Sequence, residues 1–122
     1  MLNLEKTEFE GWPNCLRLSN DTIELIVTTD VGPRIIYLGW RDRPGNLFYV
    51  DPDTTGNTGD ENFQLYGGHR LWHAPEIKPR TYVPDNSPVA HDWDGQVLRL
   101  VPDVEQLTGL QKIMEVRLHE NL

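Results

Sequence analysis

The stretch TIELIVT at residues 22–28 decides the fold class. Its residues Ile23, Leu25 and Val27 alternate with the others over a β-branched run, which is the period of a strand with one buried face. CLRL at residues 15–18 precedes it across a Ser-Asn-Asp turn, a sequence that tolerates left-handed dihedrals. The two segments therefore predict an antiparallel hairpin.

Further short apolar segments follow at intervals typical of a β-sandwich. RIIYL at residues 34–38 comes after a Gly-Pro pair, and LFYV at residues 47–50 comes after Arg-Pro-Gly-Asn, so each predicts a strand after a turn. Most of the nine prolines and ten glycines lie between apolar segments, at the roughly 8–12-residue spacing of sandwiches and barrels. We therefore expect an all-β chain, folded over residues 1–122 as a single antiparallel β-sandwich domain.

Two long loops and one ambiguous segment complete the pattern. Residues 51–59 contain only Asp, Pro, Thr, Gly and Asn, and residues 75–88 hold four prolines. Loops of this length are where ligand-binding residues concentrate. The apolar residues at 107–118 fit a helical stripe as well as one face of a strand, so the residues alone leave both open.

Composition excludes several functional classes. The net charge of −8 and the scattered eleven Lys and Arg residues argue against nucleic acid as a partner. Cys15 is the single cysteine, so no intrachain disulfide forms, and we expect a small buried side chain there. No signal-peptide-like run opens the chain and no segment approaches the roughly twenty apolar residues of a membrane span. We expect a cytoplasmic protein that does not contact a membrane.

The segment YGGHRLWHAPE at residues 66–76 concentrates the chemically versatile side chains. Gly67 and Gly68 allow backbone angles closed to other residues, which can aim the following side chains into a cleft. Imidazole, guanidinium and carboxylate groups bind hydroxyls while aromatic rings stack on apolar sugar faces, a combination that favours a carbohydrate ligand. A polar edge strand with satisfied histidines is the competing interpretation, because a straight strand would place alternate residues on opposite faces. The candidate ligand-binding residues here are Tyr66, His69, Arg70, Trp72, His73 and Glu76.

Two segments have partial metal-site patterns. His69 and His73 have the i, i+4 spacing of a zinc-binding helix, with Glu76 three residues further on, but glycines and Pro75 leave little room for a helix. The segment from Asp51 opens like a calcium loop but has Asn rather than Glu at the twelfth position. We therefore expect no metal, and no other cofactor is indicated.

Three blocks of sequence carry a family resemblance: GWPNC at residues 11–15, ELIVTTDVGPRI at residues 24–35, and YGGHRLWHAPE at residues 66–76. Together they resemble an uncharacterised branch of the aldose 1-epimerase relatives, in the galactose mutarotase-like superfamily, over roughly residues 11–118. The resemblance implies a β-supersandwich with a carbohydrate cleft on one sheet, of which this chain is the N-terminal half. It also implies a strand at residues 108–118. Arg70 resembles a substrate-positioning arginine. Arg34 follows the family-like Gly-Pro turn and is a further candidate ligand-binding residue, with a structural surface arginine as the competing interpretation.

The resemblance also frames the catalytic question. Mutarotation needs an acid at the ring oxygen and a base at the anomeric hydroxyl. His69 or His73 is the candidate acid, whereas the family's glutamate base comes from a C-terminal half without a counterpart here. A non-catalytic carbohydrate-binding domain is therefore the leading hypothesis. The alternatives are a mutarotase or epimerase that is active only as a homodimer, and a truncated structural or assembly fragment without a ligand.

Overall fold

The computed structural model describes residues 1–120 and arranges them in two antiparallel sheets. The first sheet contains, in spatial and chain order, β1 (Asn3–Phe9), β2 (Trp12–Ser19), β3 (Ile23–Thr28), β4 (Arg34–Trp40) and β5 (His69–Arg70). The second contains β6 (Ala90–Trp93), β7 (Val97–Val101) and β8 (Met114–Arg117), and a short 3-10 turn spans Arg80–Tyr82. Within residues 1–120 no helix has the length and hydrophobicity that crossing a bilayer requires.

The two sheets pack face to face through aliphatic side chains. Alternation along each strand sends every second side chain into this core. The first sheet contributes Leu16, Leu18, Leu25 and Val27, and the second contributes Leu98, Leu100, Met114 and Val116. The structure thus confirms the predicted all-β sandwich, including the hairpin of β2 and β3.

A second buried cluster covers the other face of the first sheet. A bulge in β4 adds Ile36 opposite β3, so that Ile36 and Tyr37 both turn toward this face. The long connection between β4 and β5 covers it with Val50 and Tyr66. The cluster's buried members are Trp12, Cys15, Ile26, Val31, Ile36 and Tyr66.

Residues 47–50 do not form the predicted strand. Val50 forms an isolated bridge to Gly67, and the Leu47 amide donates a single hydrogen bond to the Leu38 carbonyl at 2.8 Å. The side chain of Asn46 accepts a hydrogen bond from the Leu38 amide at 3.1 Å and donates one to the Ile36 carbonyl at 2.9 Å. One amide side chain thereby takes two of the hydrogen bonds that a neighbouring strand would otherwise make.

The two ends of the chain also differ from expectation. β1 was not predicted, yet it pairs with β2 across a tight turn at Glu10 and Gly11, whose φ angles are 48° and 94°. Near the other end, β8 pairs with β7, so the strand interpretation is right and the helical one is wrong. The strand is shorter than residues 108–118 because residues 105–110 close on themselves, with backbone hydrogen bonds between Glu105 and Leu110 and between Gly109 and Glu105.

Candidate functional site

Two glycines position the predicted site segment against the first sheet. Gly67 and Gly68 have φ angles of 95° and 70°, as expected from the sequence. A Cβ atom on Gly68 would collide with the Ile35 carbonyl oxygen. The chain can therefore approach β4 closely and continue as β5, in which His69 lies opposite Ile35 and Arg70 opposite Arg34.

Arg34 and Tyr66 lie beneath the surface and bind other parts of the chain. The Arg34 side chain is 2 % exposed, and its two terminal nitrogens donate to the Gly67 carbonyl at 2.7 Å and to the Asp85 carboxylate at 2.9 Å. The guanidinium also stacks on the Tyr66 ring, 5.1 Å from its centroid, and the Tyr66 hydroxyl donates to Asn86. Burial, with the charge of Asp85, raises the pKa of Tyr66 to about 12. Both predicted ligand-binding residues are thus bonded to other parts of the chain and stabilise the position of the site segment.

Arg70 and Trp72 form an aromatic–arginine stack with Phe63. The Arg70 guanidinium lies 4.8 Å from the centroid of the Phe63 ring and 4.9 Å from that of Trp72, distances at which cation–π attraction operates. Burial, reinforced by the charge of Arg34, lowers the pKa of Arg70. Trp72 remains 49 % exposed, so part of its ring is available to a ligand.

His69 and Glu76 are exposed. His69 lies on the short edge strand β5. Glu76 accepts a hydrogen bond from the Tyr82 hydroxyl, which raises the pKa of Tyr82. The structure therefore separates these two predicted ligand-binding residues from the buried pair Arg34 and Tyr66.

His73 faces Glu105 across the boundary between the sheets. Its Nε2 lies 3.9 Å from Glu105 Oε1, and within residues 1–120 neither enclosed ring nitrogen has a hydrogen-bond partner. The Glu105 side chain is 9 % exposed and accepts hydrogen bonds from Lys112 at 2.8 Å and from Thr108 at 2.7 Å. Burial alone would raise the pKa of Glu105, but these two hydrogen bonds and the Lys112 charge outweigh it and lower the pKa.

A cleft of about 340 Å³ opens beside these residues, and we call it the inter-sheet cleft. Its walls come from the turn before β4, the loop at residues 83–88 and the β7–β8 connection at residues 102–112. Leu71 and several prolines make the walls apolar, while Asp85, Glu105 and Lys112 supply charged groups. The volume is at the small end of the roughly 300–1,000 Å³ range of ligand pockets.

Sequence reasoning missed the charged residues of this cleft. Asp85 lies in the proline-rich loop at residues 75–88 that the sequence marked as a place for a ligand, and that loop does line the cleft. Glu105 and Lys112 lie in or beside the ambiguous C-terminal segment and form no local motif with Asp85. Only the packing of the two sheets brings them together.

The helical metal site does not form, because His69 is in a strand and His73 follows it in an irregular segment. Among residues 1–120, no group of three potential ligands of the His, Cys, Asp or Glu type is close enough to hold an ion.

Comparison with known proteins gave no relative: no family model, no curated protein and no solved structure matches the chain. The resemblance to the galactose mutarotase-like superfamily therefore remains a prediction from the three sequence blocks.

Proposed function

We propose that this chain is a carbohydrate-binding domain that holds one small sugar in the inter-sheet cleft and is not catalytic as a single chain. The observation that carries the proposal is the composition of the cleft. It joins apolar walls to buried charged groups within about 340 Å³. A sugar presents the matching surface, with apolar C–H faces and hydroxyls that both donate and accept hydrogen bonds.

Two of the carboxylates that line the cleft are held in place before a ligand arrives. Asp85 is held by Arg34, and Glu105 is held by Lys112 and Thr108. Fixed side chains lose little conformational entropy on binding, which favours affinity for a small ligand. Leu71 of the cleft wall lies between Arg70 and Trp72 in sequence. The partly exposed Trp72 ring, which stacks on Arg70, adds a surface on which a sugar ring can stack.

The arrangement of His73 and Glu105 supports binding over catalysis. An acid and a base in mutarotation must each contact the sugar. Both nitrogens of His73 are enclosed, and Glu105 is bonded to Lys112 and Thr108. His69 is exposed but is not part of the cleft wall.

The homodimeric mutarotase is the second candidate, and unpaired sheet edges favour it. β1 and β8 are edge strands within residues 1–120, and an edge can pair with a second copy. The faces of the two sheets do not add to this argument. The first sheet is covered on both faces, and the outer face of the second carries exposed Arg99 and Glu115.

A cytoplasmic location belongs to the same proposal. It rests on the lone Cys15, which is buried and forms no intrachain disulfide of the kind that marks proteins of oxidising compartments.

A cleft-filling variant tests the proposal. Ser87 is exposed and lines the cleft, so Ser87→Tyr is designed to occupy the space without removing an internal contact. Thr58→Tyr adds the same ring at an exposed position outside the cleft and is the matched control. We expect glucose or galactose, at millimolar concentrations, to shift the amide resonances of cleft residues in the wild type and the control but not in Ser87→Tyr.

The absence of any shift in the wild type would reject carbohydrate binding and favour the structural fragment. Equal binding by Ser87→Tyr and the wild type would place the sugar outside the cleft.

A further inference from the structure

The charges that line the inter-sheet cleft are mostly negative. Three carboxylates, from Asp85, Asp103 and Glu105, face one ammonium group, from Lys112. Lys112 already binds Glu105 at 2.8 Å. The guanidinium of Arg34 lies behind Asp85 and is only 2 % exposed, so it does not line the cleft.

Asp103 is the cleft carboxylate with a free charge. It is exposed, and within residues 1–120 it forms no ion pair. Asp85 and Glu105, by contrast, each have a cationic partner. A cation that enters the cleft would therefore meet one carboxylate without a cationic partner, Asp103, and two carboxylates that already have one.

The charge of the whole chain acts in the same direction. The net charge is −8, and a cleft with low-dielectric walls concentrates the field of the charges that line it. Arg70 is the nearby cation, but it is stacked between the rings of Phe63 and Trp72 and is not part of the cleft wall. A ligand anion in the cleft would be repelled, and a ligand cation attracted.

Building on the proposed carbohydrate function, we propose that the cleft is selective for amino sugars, that is, hexoses with a protonated amine. An ammonium group donates three hydrogen bonds and carries the charge complementary to the free Asp103 carboxylate. The rest of the ring keeps the hydroxyls and C–H faces that suit the apolar walls. The same charges disfavour uronic acids and phosphorylated sugars.

Four sugars and two variants separate the contribution of charge from that of the ring. Glucosamine, N-acetylglucosamine, glucose and glucuronate are titrated at pH 6 into the ¹⁵N-labelled protein, at low salt and at high salt. N-acetylglucosamine keeps the nitrogen but loses its charge. Asp103→Asn removes the free carboxylate of the cleft, and Asp92→Asn removes the same charge from exposed β6, outside the cleft.

We expect glucosamine to bind roughly two- to five-fold more tightly than glucose at low salt, the size of effect that one exposed ion pair supplies. N-acetylglucosamine should lack this advantage and glucuronate should bind more weakly than glucose. High salt and Asp103→Asn should each abolish the preference, whereas Asp92→Asn should keep it.

Equal affinity for glucosamine and glucose would overturn the amino-sugar inference and leave carbohydrate binding intact. A preference for glucosamine that survives both high salt and Asp103→Asn would overturn its attribution to the charge of the cleft. Loss of the preference in Asp92→Asn as well would overturn the role of Asp103. If none of the four sugars binds, the proposed function itself fails, and the inference fails with it.

Discussion

The guanidinium of Arg34 and the carboxylate of Asp85 form an ion pair at 2.9 Å that joins the start of β4 to the loop lining the cleft. The other terminal nitrogen of Arg34 binds the Gly67 carbonyl at 2.7 Å. Three segments that are far apart in sequence therefore meet at one buried cation. The cleft wall and the turn into β5 depend on the same side chain.

Replacing Arg34 should destabilise the whole domain. Arg34→Ala leaves the largely buried Asp85 carboxylate and the Gly67 carbonyl without their partner, and breaking a buried pair in this way costs about 3–5 kcal/mol. Arg34→Lys should lose less, because it keeps the charge but not the two-pronged geometry. Urea denaturation measures the free energy of unfolding. The matched control is Arg99→Ala on the exposed face of β7, for which we expect a change within about 0.5 kcal/mol.

An Arg34→Ala protein as stable as the wild type would contradict the structural role of Arg34. It would return this residue to the set of candidate ligand contacts.

The sequence predicted the parts of the fold that local pattern controls. Alternation at residues 22–28 places Leu25 and Val27 in the core between the sheets, as the structure shows. The same logic failed at residues 47–50, since the side chain of Asn46 replaces strand hydrogen bonds and no period of apolar residues reports such a contact.

The candidate site was less accessible to sequence reasoning. Residues 66–76 were found because glycines, imidazoles and aromatic rings are adjacent there. Which of them are exposed depends on partners elsewhere in the chain: Asp85 and Asn86 bind Arg34 and Tyr66. The contact of His73 with Glu105 spans the two sheets, so neither local spacing nor composition could predict it.

Replacing Gly68 with alanine should destabilise the protein more than the same replacement at Gly59, which has a similar φ angle. Gly68 and Gly59 have φ angles of 70° and 74°, so an alanine has similar backbone strain at both. Nothing lies within 4 Å of a Cβ at Gly59, whereas a Cβ at Gly68 meets the backbone of Ile35 and Ile36. We expect Gly59→Ala to cost about 1–2 kcal/mol, and Gly68→Ala to cost a further 1–3 kcal/mol, roughly the cost of overpacking.

Thermal or urea unfolding of the two variants measures this difference directly. Equal losses would mean that the chain at Gly68 can move away from β4 without penalty. The close approach that positions β5 would then not matter for stability.

Glu105 should make the stability of the domain depend on acid pH. Its pKa is lowered in the folded protein from an ordinary value of 4.5, so its contribution is present above that value and is lost as the pH falls toward the lowered folded pKa. Glu105→Gln removes the partner of the Lys112 ammonium and should lower the free energy of unfolding near pH 7 by about 1–3 kcal/mol. The difference in the free energy of unfolding between the wild type and Glu105→Gln should decrease as the pH falls below about 4.5.

Melting temperatures of both proteins across pH 3–7 test this expectation, with Glu115→Gln on the exposed face of β8 as the control. A difference in melting temperature that does not change with pH would show that packing, rather than the charge of Glu105, stabilises the β7–β8 connection.

The single chain should not accelerate the interconversion of sugar anomers. Catalysis needs an acid and a base that both contact the sugar. His73 has both nitrogens enclosed, while Glu105 is bonded to Lys112 and Thr108. We therefore expect polarimetry with glucose or galactose to give the uncatalysed rate, whereas the cleft still binds sugar.

Light scattering on the same sample establishes whether the protein tested is a monomer or a dimer. A rate above background that disappears in His73→Ala would contradict the enclosed state of that imidazole. One that disappears in His69→Ala, and only when the protein is dimeric, would favour the homodimeric mutarotase, because exposed His69 then meets its base on the second copy.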